Sequence, residues 1–158
     1  MNEDSVYIRL GRRFQRIPAD TRGWYLLFVN GELFLSREHS GLPKPFGVVI
    51  DQIGTMLTVA EYEISGRMNL EPAMNPKVIS FGYIKAHCEL PSRRELLQMY
   101  EQKNKFPEFV GWLWSKEQHD PNAIWLMHWF DGYMNYGWNY NRYYVRRVFH
   151  ISIKSLFI

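Results

Sequence analysis

Cysteine is nearly missing from this sequence, since Cys88 is the only one in 158 residues. No internal disulfide can form, so the fold stands on burial alone, as suits a reducing compartment or a scaffold that needs no staple. Long apolar runs are missing too. None approaches the roughly 20 residues that cross a membrane as a helix, and Met1-Asn2-Glu3-Asp4 is polar and acidic, unlike a secretory leader. The sequence therefore predicts a cytoplasmic protein when made, with no membrane partner. Charge of one sign is scarce, because a net +3 is too small an excess to point to nucleic acid. A glycine-rich phosphate loop of the dinucleotide or Walker type is absent. No histidine, cysteine or carboxylate spacing matches a zinc site, so neither metal nor cofactor is expected.

What the chain does have is apolar and aromatic content, 46% and 16%. That is far above a disordered composition, and the length is enough to bury a core in one domain covering residues 1–158. The one turn-rich break is Ser65 to Pro76. It leaves a second division open, an N-terminal subdomain 1–64 and a C-terminal part 77–158.

Taken in order, Ser5 to Leu10 alternates weakly as a first strand. Trp24 to Val29 and Glu32 to Ser36 flank Asn30-Gly31, a pair that favours a tight turn, and this is the clearest hairpin of the chain. Phe46 to Ile50 reads as a short strand, Leu57 to Tyr62 fits strand or helix with strand preferred for Met56 to Val59, His39 to Pro45 and Ser65 to Pro76 read as loops, and Val78 to Ile84 as core strand. Ser92 followed by Glu95 forms a capping-box pattern, Pro91 enforces an extended entry, and Leu96, Leu97, Met99 and Tyr100 recur at helical spacing. A helix is thus expected from about Arg93 to before Pro107.

Beyond it the period shortens. Phe109 to Trp114 and Ala123 to Phe130 read as strands, the second with Ile124, Leu126, His128 and Phe130 on one face and Trp125, Met127 and Trp129 on the other. Asp131-Gly132 signals a hairpin turn. Tyr143 to Ile153 reads as one long strand, in which Arg146 and Arg147 point to opposite sides, one pairing with a carboxylate near the helix and one facing solvent.

Leu90-Pro91-Ser92-x-x-Glu95-Leu96, Trp112-Leu113-Trp114-Ser115-x-Glu117, Ala123-Ile124-Trp125, Phe130-x-Gly132 and Tyr144-Val145-Arg146-x-Val148 occur in that order. In that order they resemble the C-terminal domain of the Legionella collagen-like adhesin and its bacterial and phage relatives, a family related to the C-type-lectin-like and formylglycine-generating-enzyme fold. The resemblance implies an α+β, C-type-lectin-like mixed sheet with one clear helix, long loops and a closing C-terminal strand. The strand-like chain ends add the expectation that the first and last strands lie close together. Departures also follow: Glu71-Pro72-Ala73 lacks the third oxygen-bearing side chain of the lectin calcium site, and Cys88 has no partner for the cysteine-pair chemistry of the formylglycine relatives. Neither calcium-dependent sugar binding nor catalysis is expected, and Cys88 reads as buried and inert. His119-Asp120, His128 with Asp131, and Glu117 read as ordinary loop and strand polar groups.

The candidate contact residues are Tyr133, Tyr136, Trp138, Asn139, Tyr140 and Arg142, in a stretch where Asn135, Gly137, Asn139 and Asn141 interrupt the aromatics. Rigid aromatic area beside adaptable amides is the chemistry of binding surfaces. Core filling is the competing reading. In the resembling fold this stretch lies in the loop region before the closing strand, where ligand-binding relatives place variable residues. A second, basic contact group is Arg9, Arg12, Arg13 and Arg16. The functions expected are a non-catalytic module binding a protein or glycan in a bacterial or phage setting or, alternatively, a phage-encoded intracellular inhibitor or regulator occupying an acidic host protein.

Overall fold

The computed structural model describes residues 7–9, 17–29, 31–39, 44–81 and 84–152. In chain order the elements are β1 (Tyr7–Arg9), β2 (Tyr25–Val29), β3 (Glu32–Ser36), β4 (Gly47–Ile53), β5 (Met56–Glu61), β6 (Ser65–Met68), α1 (Leu70–Met74), β7 (Lys77–Phe81) and β8 (Ile84–Cys88). Then follow α2 (Arg93–Glu101), a 3-10 turn (Lys103–Lys105), β9 (Trp112–Asp120), β10 (Ala123–His128), β11 (Met134–Trp138), β12 (Tyr143–Val145) and β13 (Val148–Ser152). The class is α+β.

One sheet has the order β1-β3-β2-β4-β5-β13 and is antiparallel throughout. A second, ordered β11-β10-β9-β12-β6, is mixed, because β12 runs parallel to β9. β7 and β8 form a separate hairpin. The first and last strands are not neighbours. β1 and β13 end the same sheet at opposite edges, since β13 is taken up by β5.

Both faces of the first sheet are covered, which explains its apolar runs without clean alternation. Leu26, Val49, Val59 and Phe149 pack on one side with Ala86 and Cys88 of the β7–β8 hairpin. Leu27, Val48, Ile50 and Ala60 pack on the other with Leu96 and Met99 of α2 and with Leu113, Met127 and Trp129 from the second sheet. A third cluster, on Trp114, Leu126 and Val145, is closed by Ala73 of α1. The segment expected as a loop from Ser65 to Pro76 therefore carries a strand and a helical turn. The strand is held by β12, and Trp114 donates its indole N–H to the Met68 carbonyl at 2.9 Å.

The helix starts as its sequence dictates. Ser92 Oγ accepts from the Glu95 amide at 3.1 Å, and Glu95 Oε1 accepts from the Ser92 amide at 2.9 Å. Its apolar stripe is narrower than expected, because Leu97 is exposed while Leu96 and Met99 are buried. The Asn30-Gly31 hairpin forms as β2–β3, with Gly31 at φ +81°, a value that favours glycine.

The long last strand is corrected. It breaks at Arg146-Arg147, where the chain leaves the second sheet as β12 and enters the first as β13. At this crossing neither arginine faces water; Arg146 is 1% exposed and Arg147 7%. Arg146 lies among rings rather than beside a carboxylate of the helix, its guanidinium carbon 4.3 Å from the centre of Phe106, and it donates to the Tyr62 carbonyl at 3.0 Å. Burial pushes its pKa down to about 9, which still leaves it cationic at neutral pH. Arg147 donates to the Pro72 carbonyl at 3.4 Å, and its amide donates to Glu61 Oε1.

Candidate functional site

The aromatic segment lies on β11, an edge strand, and on the turn that follows, closed by the Asn141 amide donating to the Trp138 carbonyl at 3.0 Å. Edge position leaves one side of the strand uncovered, and Tyr136, Trp138 and Tyr140 are 42%, 40% and 73% exposed. Alternation sends the intervening Gly137 inward, where a Cβ would stand 2.4 Å from Leu126 Cδ1 and 2.6 Å from the Tyr143 ring. The sheet leaves no room for a side chain at Gly137, and the flanking Tyr136 and Trp138 lie on the opposite face.

The rings form one continuous row. Trp138 and Tyr140 are parallel within 3°, centroids 6.4 Å apart, and Tyr136 stands edge-on to Trp138 at 5.6 Å. His119 of β9 stacks on Tyr136 at 4.3 Å and meets Trp125 of β10 at 4.8 Å. The Arg93 guanidinium covers Trp125 at 4.5 Å from its ring centre. Asn122, Trp138, Asn139 and Tyr140 bound an open depression of about 440 Å³.

Asn139 is partly a structural residue. Its amide donates to the Asn122 carbonyl at 2.9 Å and its side-chain nitrogen reaches the Pro121 carbonyl at 3.4 Å. Its Oδ1 is shielded from solvent and has no partner among the described residues. Asp120 closes the same β9–β10 turn by accepting from the Asn122 amide at 2.8 Å and pairing with His119 Nδ1 at 3.0 Å. The Asn122 amide bond, then that of His119, hold its carboxyl below the usual range, so it is an anion at neutral pH.

The other named residues do not join this group. Tyr133 precedes the opposite end of β11, exposed and 6.3 Å from Trp112. Arg142 donates to the Arg67 carbonyl at 3.2 Å, so part of its hydrogen-bonding capacity is spent tying β12's approach to β6. Arg12, Arg13 and Arg16 lie outside the described residues, and Arg9 is placed only by its backbone pairing with Phe34. Conversely, His119, Trp125, Asn122 and Arg93 were not selected from the sequence as contact residues. The alternation of β10 was visible, but the register that brings Trp125 opposite Tyr136 was not.

His128 pairs with Asp131 at 3.1 Å and lies against Trp112, separately from His119-Asp120. Among the described residues no three His, Cys, Asp or Glu side chains gather as a metal site. Cys88 is fully buried, and that burial pushes its thiol up to about 12, so it is protonated at neutral pH and a poor nucleophile. No helix among the described residues is long and apolar enough to cross a membrane. No family model matches the chain, and no curated protein matches it.

Proposed function

We propose that this chain is a non-catalytic recognition module that binds a protein or a glycan through the outer row Tyr136, Trp138 and Tyr140. The observation that carries this reading is the exposure of three large aromatics at alternate positions of an edge segment, beside amides and over a rigid sheet. Exposed rings held by a fixed backbone lose little conformational entropy on contact, which is why such residues dominate binding energies. The finer plan we infer is C-type-lectin-like in residues 77–158. It is supported by the capped helix, the buried Trp114-Ser115 strand, the turn at Gly132 and the closing strands, in that order. A bacterial or phage setting rests on the sequence resemblance alone.

The test uses the full chain and a Tyr136→Ala, Trp138→Ala, Tyr140→Ala triple variant, each as bait against bacterial lysate and on a glycan array. A partner retained by the native chain and lost by the folded variant supports the reading. Retention of the same partner by both sinks it. A single stoichiometric intracellular protein would favour the inhibitor alternative, whereas an envelope protein or surface sugar would favour adhesion.

A further inference from the structure

We propose, resting on the recognition reading, that the depression beyond β11 takes a ring of a neutral saccharide chain. Trp138 and Tyr140 supply the stacking faces, and the exposed Asn122 side chain supplies the hydrogen bonds.

The walls set the chemistry. A sugar ring presents apolar C–H faces and hydroxyl edges that both donate and accept, so its site needs flat apolar surface beside groups of the same double capacity. Two parallel rings with the exposed Asn122 amide on the adjoining wall meet that need, since that amide offers an acceptor oxygen and two donors. The volume of about 440 Å³ falls within the range of roughly 300–1,000 Å³ typical of small-ligand sites.

Charge excludes the neighbouring ligand classes. Phosphate, sulfate and uronate groups call for cationic partners, and a nucleic-acid strand calls for a basic lane along its backbone. The four described residues that bound the depression carry no charge. Asp120, bonded to the Asn122 amide, adds a negative charge at the rim. Arg142, the arginine of the same segment, is not among the residues that bound the depression. A stable protein interface buries on the order of 800 Å² per partner around an apolar centre. Here the aromatics form a narrow row interleaved with Asn135, Asn139 and Asn141, which suits a slender polar chain.

Chitohexaose, cellohexaose and maltohexaose are titrated into the full chain, with a heparin-derived hexasaccharide, oligodeoxythymidine and N-acetyltryptophanamide as contrasts. Binding is followed by calorimetry and by the indole N–H resonances, that of Trp138 being assigned as the one lost in Trp138→Ala. The expected result is binding of at least one neutral hexasaccharide, insensitive to added salt, that shifts the Trp138 signal. Trp138→Ala and Asn122→Ala should each weaken it by about tenfold or more. Tyr140→Ala, at a largely exposed position, provides the same readout if a Trp138 variant does not fold. The proposal is overturned if no neutral hexasaccharide binds, if only a polyanion or the indole amide binds, or if the folded variants bind sugar as the native chain does. A protein retained through Trp138 with no sugar bound removes the saccharide assignment and leaves the recognition reading standing. Full binding of every ligand and partner by the folded variants removes both.

Discussion

The Arg146 guanidinium carbon lies 4.8 Å from the centre of the Trp129 ring, inside the core between the two sheets. Phe106 and Phe109 complete the surround, and the Nε and Nη1 atoms have no hydrogen-bond partner among the described residues. The attraction of ring faces for a cation therefore offsets desolvation that hydrogen bonds leave only partly compensated. Arg146→Met, which keeps the stem and removes the charge, should change stability by no more than about 1 kcal/mol. Arg146→Ala should cost about 3 kcal/mol through the cavity it opens. Urea unfolding of both variants checks this, and a Met variant as unstable as the Ala variant would show that the charge itself is indispensable.

Tryptophans should divide sharply by position. Trp114 and Trp129 are buried, whereas Trp138 is 40% exposed. Trp114→Ala or Trp129→Ala should cost about 3–5 kcal/mol of folding stability. Trp138→Ala should cost about 1 kcal/mol, because its ring contacts are with the exposed Tyr136 and Tyr140 and not with a core cluster. Calorimetric unfolding of the three variants distinguishes the cases, and a large loss at Trp138 would reassign the aromatic row to the core.

Gly137 is required for its lack of a side chain. A Cβ there would meet Leu126 and Tyr143 at 2.4–2.6 Å, and these neighbours are packed into the third core cluster. Gly137→Ala should destabilise by about 1–3 kcal/mol through overpacking. It should also disturb Trp138, which would be seen as changed near-ultraviolet dichroism. A neutral Gly137→Ala would mean that β11 lifts away from the sheet at little cost.

His150 and Glu95 form a pH-dependent tie between β13 and α2, with Nε2 3.4 Å from the carboxylate. The Glu95 bond is the main cause of a raised His150 pKa, with burial opposing it. For Glu95, burial works to raise the pKa, and the bonds from His150 and the Ser92 amide outweigh it, leaving it lowered. A raised histidine stabilises fully below its unfolded pKa of about 6.5 and loses this as pH rises through the folded value. A lowered carboxylate stabilises above its unfolded pKa of about 4.3 and loses this as pH falls through the folded value. The tie is therefore strongest at about pH 5–6. His150→Ala should cost about 0.5 kcal/mol there, a small figure because the imidazole is half-exposed and screened. The difference should fade by about pH 9. Chemical unfolding at the two pH values measures it, and an equal difference at both would assign the effect to packing.

Local elements were legible where a few adjacent residues decide the outcome. Ser92 and Glu95 determined the helix start because both partners of the capping box lie within one turn. Asn30-Gly31 and Asp131-Gly132 marked their hairpins because a tight turn needs particular backbone angles from those positions. The outward Trp138 and Tyr140 could be anticipated because Gly137 and the asparagines break the apolar alternation. Tertiary structure alone decided which strands meet. Tyr143 to Ile153 reads as one long strand, yet it divides at Arg146-Arg147, with Val145 paired between β6 and β9 and Val148 paired beside β5. That division buries two arginines whose charge, by sequence, belonged partly in water. The same distinction governs the site. Tyr136, Trp138 and Tyr140 are neighbours in the chain, but His119, Asn122 and Trp125 reach them only through the antiparallel registers of β9, β10 and β11. Such registers are set by long-range packing and are not encoded in any short stretch of the sequence.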